Sequence, residues 1–240
     1  MSAADIVIFG KLINHLEKRF MMTDSPTPFM RVLIVGAGGQ GRIVAEAFMA
    51  AGRSSPFTPI GFVDDRVDRH GSTVLGLPVL GTVVNLATIT HDAIVVAIGD
   101  NTQRQTLSLA LEAAGERIVS ARHPFSSIAS DVVLGPGCMI SAGVVITPGA
   151  RIGRGVLLNT SSCIDHETVV GDFAHVAVRA AIGANVVLGS RTMIGLGAAV
   201  MTGRRVGDDC IVGAGALVAK DLPDNVVAVG VPARISRVNR

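Results

Sequence analysis

The sequence predicts an α/β half-Rossmann domain followed by an all-β, left-handed parallel β-helix. Three observations carry this expectation. An aliphatic residue returns every six positions from Ile128 to Val218, a glycine loop at 36–41 joins an apolar run to a helical stretch, and the composition is poor in charge and aromatics. Strict period six belongs neither to an α-helix nor to a flat strand. Self-similarity at a hexapeptide period is the mark of a parallel β-helix.

The first 29 residues are the least informative. Ile6 to Phe20 fits an amphipathic helix, and Thr23-Asp24-Ser25-Pro26-Thr27-Pro28 reads as a linker. A partner or membrane-surface helix is one reading. A leader without a structural role is favoured, because Met30 stands directly before the first convincing strand. The expected division is an extension over 1–29, an α/β half-Rossmann domain over 30–122 and the β-helix over 123–240.

Arg31 to Val35 has the composition of a buried parallel strand, and a helix is expected from Arg42 to Ala51. Between them, Gly36, Gly38 and Gly41 fit G-x-G-x-x-G in the strand-to-helix context that the motif requires. Such a loop brings a phosphate close to backbone amides at a helix N-terminus. The next strand, Ile60 to Val63, ends at Asp64 and Asp65, about twenty residues beyond the loop, as in the dinucleotide fingerprint. A strand from Ala93 to Ile98, a helix from Thr102 to Ala114 and a strand from Arg117 to Ala121 complete a unit half the size of a doubly wound domain. One nucleotide suits it better than two. A dinucleotide and a purely structural glycine turn stay open as alternatives. His123-Pro124 leads into the repeat, with His123 read as a junction residue.

In the repeat, three hexads make one triangular coil of 18 residues. The aliphatic residue points inward and stacks on its equivalent one coil away, and glycine and asparagine are expected at the corners, where positive φ costs them little. Sixteen hexads without insertion make just over five coils and leave no long projecting loop. His166, third in its hexad, falls at an outward corner beside Asp165 and Glu167. A carboxylate next to an imidazole orients it and raises its basicity, as a general base requires. His175 lies nine residues on, one and a half sides of the triangle away, so the two rings meet only across an interface between prisms. Ala184 stands one coil above His166, where its amide fits the role of an oxyanion donor. Cys163 is the sixth residue of its hexad and a poor candidate nucleophile.

The composition narrows the field. A net charge of +2 with scattered basic residues gives no case for nucleic acid. No apolar run reaches the ~18 residues of a membrane span, and no secretory signal is apparent. Cys138, Cys163 and Cys210 form no CxxC, so neither a disulfide framework nor a zinc motif is implied, and no metal is expected. The reducing cytoplasm fits.

Taken together, Gly36-Ala37-Gly38-Gly39-Gln40-Gly41, Gly61-Phe62-Val63-Asp64-Asp65, Ile98-Gly99-Asp100-Asn101 with Arg104, His123-Pro124, Asn159-Thr160-Ser161-Ser162, Asp165-His166-Glu167, His175 and Gly230-Val231-Pro232-Ala233-Arg234 resemble the bacterial sugar O- and N-acyltransferases of the NeuD/PglD type. The resemblance spans about residues 30 to 236. It implies a homotrimer with sites between subunits, acetyl-CoA as cosubstrate and a nucleotide-linked 4-amino-deoxysugar as acceptor. By the same resemblance His166 and Glu167 are the catalytic pair, and His175 lies at the acetyl end of the coenzyme, with Gly183, Ala184 and Gly195 in the coenzyme groove. Gly36, Gly38, Gly39, Gln40, Gly41, Asp64, Asp65 and Asn101 are assigned to the nucleotide sugar. The chain departs from the family at Gln40, where many relatives carry histidine, and at Val178-Arg179-Ala180. Sugar O-acetylation of the sialic-acid type and a non-enzymatic nucleotide-binding trimer are the competing functions.

Overall fold

The computed structural model describes residues 29–239, so the expectations for 1–28 lie outside the described residues. Strands β1 (Met30–Val35), β2 (Phe57–Val63), β3 (Thr73–Val74), β4 (Leu77–Gly81) and β5 (Ala93–Val96) form one sheet in the order β3-β4-β2-β1-β5. Helix α1 (Gly39–Ala51) follows β1, and α2 (Asn101–Ala113) follows β5. β1 is fully buried from Val32 to Val35 and pairs in parallel with both β2 and β5. This explains its unbroken aliphatic run, since a central parallel strand is covered on both faces. α1 buries Val44, Ala45, Ala47 and Phe48 on one stripe. The β3–β4 pair is antiparallel, an edge hairpin not foreseen within 71–85.

The repeat folds as expected. Two-residue strands stack on three faces in parallel, with partners 18 residues apart: Val145 on Cys163, Arg151 on Val169, Leu157 on His175. Every aliphatic position from Ile140 to Val218 is buried to within 3% exposure, and Cys138, Ala150, Ser162, Ala174 and Ala198 fill the space between. Ile128 and Leu134 are only partly buried, at the start of the prism.

The corners depart from the expectation. Fourteen of them, from residue 137 to 215 at steps of six, hold a left-handed residue, but half carry a side chain other than glycine. Ser161, Glu167, Phe173, Arg179, Asn185 and Arg191 occupy six corners in succession with φ between 55° and 58°. Asn185 alone among these is a residue that tolerates the conformation well.

The two parts share backbone without a linker. Ile118 bridges Ile94 in the first sheet, and Ala121–Arg122 already pairs with Met139–Ile140 as the first rung of the prism. The β-helix therefore begins two residues earlier than the expected boundary. Met139 and Leu157, outward on one face, are buried in the same cluster as Phe62 and Val95. At the far end, Arg234–Val238 turns back antiparallel on Val226–Val229 and closes that sheet.

Candidate active site

The first part of the site is the glycine loop. Gly36 takes φ 104°, and a Cβ on Gly41 would overlap the Gly36 carbonyl oxygen, so these two glycines set the close approach of α1 to β1. Gly39 faces open space, and Gly38 faces only the Arg69 side chain. Gly38, Gly39 and Gln40 line a cavity of about 560 Å3 at the C-terminal end of the sheet, with Asp64, Asp65, Arg66, Arg69, Ile98 and Gly99 also at its wall. This is where open α/β sheets bind ligands. No side chain caps α1, and its first turn holds no acid, so its N-terminal amides face the cavity with a partial positive charge.

Asp64 organises this loop. Its carboxylate accepts from the Ala37 amide at 2.8 Å, the Arg66 amide at 2.9 Å and Arg69 Nη1 at 2.8 Å. Burial alone would raise its pKa, yet the two amides and the Arg69 charge outweigh it and hold the carboxyl below its ordinary value. Asp65 accepts from the Val83 amide and stays exposed. Gln40 sits where cavity and prism meet, its Nε2 3.8 Å from Met139 Sδ. Asn101 is drawn elsewhere: its Nδ2 donates to the Arg191 carbonyl, and its Oδ1 accepts from Arg104. With both ends of its amide engaged between the domains, it pins α2 to the β-helix and is not among the residues of the cavity wall.

The second part is the corner at 165–167. His166 and Glu167 are both exposed, with His166 Nδ1 3.6 Å from Glu167 Oε2. That is within ion-pair range but longer than a hydrogen bond. Asp165 accepts from the His166 amide at 2.8 Å and from Thr147 Oγ1 at 3.1 Å, and these bonds lower its pKa. Asp165 thus fixes the corner, and Glu167 is the carboxylate that faces the ring. One coil up, Asn185 donates to the His166 carbonyl at 3.0 Å, which stacks Ala184 over the histidine. The Ala184 amide donates to nothing within the described residues, whereas the equivalent amides of Arg154 and Ser190 are capped by Asp172 and Asp208. Gly183 and Gly195 pack against the next coil, where a Cβ would come within 2.8 Å of the Thr202 amide and 2.5 Å of the Val212 carbonyl.

His175 lies on another face, in the ladder between Leu157 and Met193. The separation from His166 follows the sequence expectation. Its Nε2 is buried and has no hydrogen-bond partner among the described residues. Burial first, and the Arg104 charge second, push its pKa down to about 4, so the ring is a neutral imidazole at pH 7. His123 Nδ1 accepts from the Phe125 amide at 3.1 Å, a turn contact at the junction. Burial raises the pKa of Cys163, and a protonated thiol is a poor nucleophile.

A glycine-loop half-Rossmann domain joined to a hexapeptide prism with an exposed histidine–carboxylate corner is the arrangement shared with sugar acyltransferases of the β-helical class. The PglD N-terminal domain family matches residues 31–111. A histidine-to-asparagine variant of perosamine N-acetyltransferase from Caulobacter crescentus, in complex with CoA and GDP-perosamine, is 37% identical. That match covers 86% of this chain and 96% of that one, with a TM-score of 0.80. The acetyltransferase domain of PglB from Neisseria gonorrhoeae is 31% identical, covers 86% and 99% of the two chains, and has a TM-score of 0.81. Among curated proteins, the galactoside O-acetyltransferases of Lactococcus lactis and Escherichia coli are 50% and 42% identical over 44 and 52 residues. These segments are only 21% and 26% of those proteins' lengths and 18% and 22% of this chain. The chain belongs to the NeuD/PglD-type sugar acetyltransferases.

Proposed function

We propose that this protein transfers an acetyl group from acetyl-CoA to the 4-amino group of a nucleotide-linked amino-deoxysugar. The observation that carries the reading is the corner: an exposed imidazole beside Glu167, stacked under an amide with no acceptor of its own among the described residues. The Caulobacter relative with CoA and GDP-perosamine supports the substrate class, and the Neisseria domain in complex with acetyl coenzyme A supports the donor.

The cavity residues hold the nucleotide, with Gly38, Gly39 and Gln40 at the phosphates. Asp64 shapes the loop, which leaves Asp65 as the carboxylate for the base or ribose. A sugar ammonium must lose a proton before it attacks a thioester. His166 takes a proton from the attacking nitrogen, and Glu167 stabilises the imidazolium that forms. The Ala184 amide donates to the thioester oxygen as charge develops there. His175 presents an uncharged ring nitrogen to the acyl end. The nitrogen–carbon bond forms first, giving a tetrahedral oxyanion; the carbon–sulfur bond then breaks, and CoA leaves as the thiol with the proton that His166 took from the nitrogen. Positioning both substrates in one groove removes much of the entropic cost of their encounter. Because His166 and His175 lie on different faces of one prism, the site is completed by a neighbouring copy in a homotrimer. The three free cysteines suit a cytoplasmic setting.

Replacing His166 by alanine should lower turnover by about 10²–10⁴-fold with CoA affinity unchanged. Near-normal turnover of every amino-sugar nucleotide that the unaltered enzyme accepts would overturn the reading. The short but high identity to galactoside O-acetyltransferases favours a second reading, transfer to a hydroxyl. A panel of amino and hydroxy sugars separates the two, and acetylation of hydroxyls alone would replace the first.

A further inference from the structure

Arg104 is fully buried in the first turn of α2, and none of its hydrogen-bond acceptors is a carboxylate. A guanidinium has five N–H donors in a rigid fork. Here each has a short acceptor: Nε donates to Gly155 O at 2.8 Å, Nη1 to Ile98 O at 2.9 Å and Gly99 O at 3.1 Å, and Nη2 to Asn101 Oδ1 at 2.8 Å and Phe173 O at 2.7 Å. The acceptors come from two places. Ile98 and Gly99 form part of the wall of the nucleotide cavity. Gly155 and Phe173 are stacked corners of the prism, one coil apart, and Phe173 stands two residues before His175. Phe173 itself is buried, its ring over Gly155 where a Cβ would collide with it. One side chain thus fixes the loop that touches the nucleotide and the turn that presents His175.

We infer that Arg104 is a positioning residue that couples the nucleotide cavity to the acyl end of the site, so that a nucleotide bound against Ile98–Gly99 is felt at the His175 ring. A bare structural staple would need only to join the domains. Glu112 with Arg154, and Asn101 with the Arg191 carbonyl, already do that at 2.6 and 2.7 Å. Arg104 differs because its bonds divide between the two ligand regions. Hydrogen-bond networks through rigid elements can carry such coupling, and it must be measured rather than read from contiguity. This inference rests on the proposed function, because it takes the cavity as a nucleotide site and His175 as the acyl-end group.

The test uses the full chain with 15N-labelled histidine and, as probes, GDP, UDP and dTDP. Calorimetry identifies which nucleotide binds. That nucleotide alone should shift the His175 ring resonance in the unaltered protein. Arg104→Lys has three donors in place of five and no fork. It should bind the nucleotide within about threefold of the original affinity and lose the shift at His175, as expected when a coupling free energy is removed without a binding contact. A merely structural Arg104 would lower the melting temperature and leave the shift intact, which overturns the inference. Nucleotide binding without any His175 shift in the unaltered protein overturns it too. If none of the three nucleotides binds, the functional reading and the inference fall together. Should Arg104→Lys not fold, Asn101→Ala removes one of the five acceptors and should weaken the shift, and an unchanged shift there counts against the inference.

Discussion

Glu167 holds a left-handed backbone conformation that a glycine would adopt more cheaply, and its carboxylate faces His166. The conformation costs a non-glycine residue about 1–2 kcal/mol, while glycine's extra freedom in the unfolded chain takes back about 0.5–1 kcal/mol. Glu167→Gly should therefore leave stability equal or slightly raised while turnover falls. Denaturant midpoints and initial rates on one preparation check this, and a loss of both together would show that the side chain supports the fold instead. His175 supplies a pH signature. Unfolded, its imidazole titrates near 6.5; folded, it titrates near 4 because it is buried beside Arg104. Between those values the unfolded chain binds more protons, so the contribution to stability is present above pH 6.5 and is lost as pH falls toward 4. Urea midpoints from pH 7 to 4 should fall less steeply for His175→Gln than for the unaltered protein, and equal slopes would contradict the depressed pKa.

The glycine loop shows at the scale of an element how one motif divides its work. Gly41 lies where any side chain meets the Gly36 carbonyl, and Gly39 lies in the open. Gly41→Ala should push α1 off β1 and cost about 1–3 kcal/mol, the usual range for overpacking. Gly39→Ala should stay within about 0.5 kcal/mol, as at most surface positions, yet weaken nucleotide binding because its new methyl enters the cavity. Thermal melts with and without nucleotide distinguish the two. At this scale the sequence was highly legible. Period six placed every rung from Ile140 to Val218, because one inward residue per strand repeats without insertion. The glycine loop was legible because its spacing is set by backbone contact. The corners were less so, since a lattice of 18-residue stacking forces left-handed φ on Glu167 and Arg191 whatever their preference. The roles of Arg104 and Asn101 were invisible for another reason: their long-range partners are backbone carbonyls 51, 69 and 90 positions away, and a carbonyl has no sequence signature.

For the whole molecule, the distribution of His166 and His175 over different faces makes a definite claim about assembly. If each site takes one histidine from each of two protomers, as proposed above, mixed oligomers of the His166→Ala and His175→Ala variants should regain activity that neither variant has alone. Refolding the two inactive variants together and assaying the mixture gives the answer, and no recovery would mean that both rings serve one chain's site. The N-terminal domain is rigidly placed in this scheme. The segment that bridges Ile94 at Ile118 passes directly into the first rung of the prism at Ala121–Arg122, and Arg154, Arg191 and Arg104 tie α2 to three corners.

The unbroken ladder also implies two different units of change along the gene. Packing inside the prism repeats every six residues, so a deletion of one hexad leaves an inward aliphatic at every rung and is silent to the prism's interior. Outward side chains repeat only every 18, as the pairing of Val145 with Cys163 and of Leu157 with His175 records. Loss of one hexad before Ile164 would therefore carry His166 to another edge of the triangle while the prism stays intact. In such a lineage, folding and chemistry read the same sequence in frames of different length, and only gains or losses of whole coils are neutral to both.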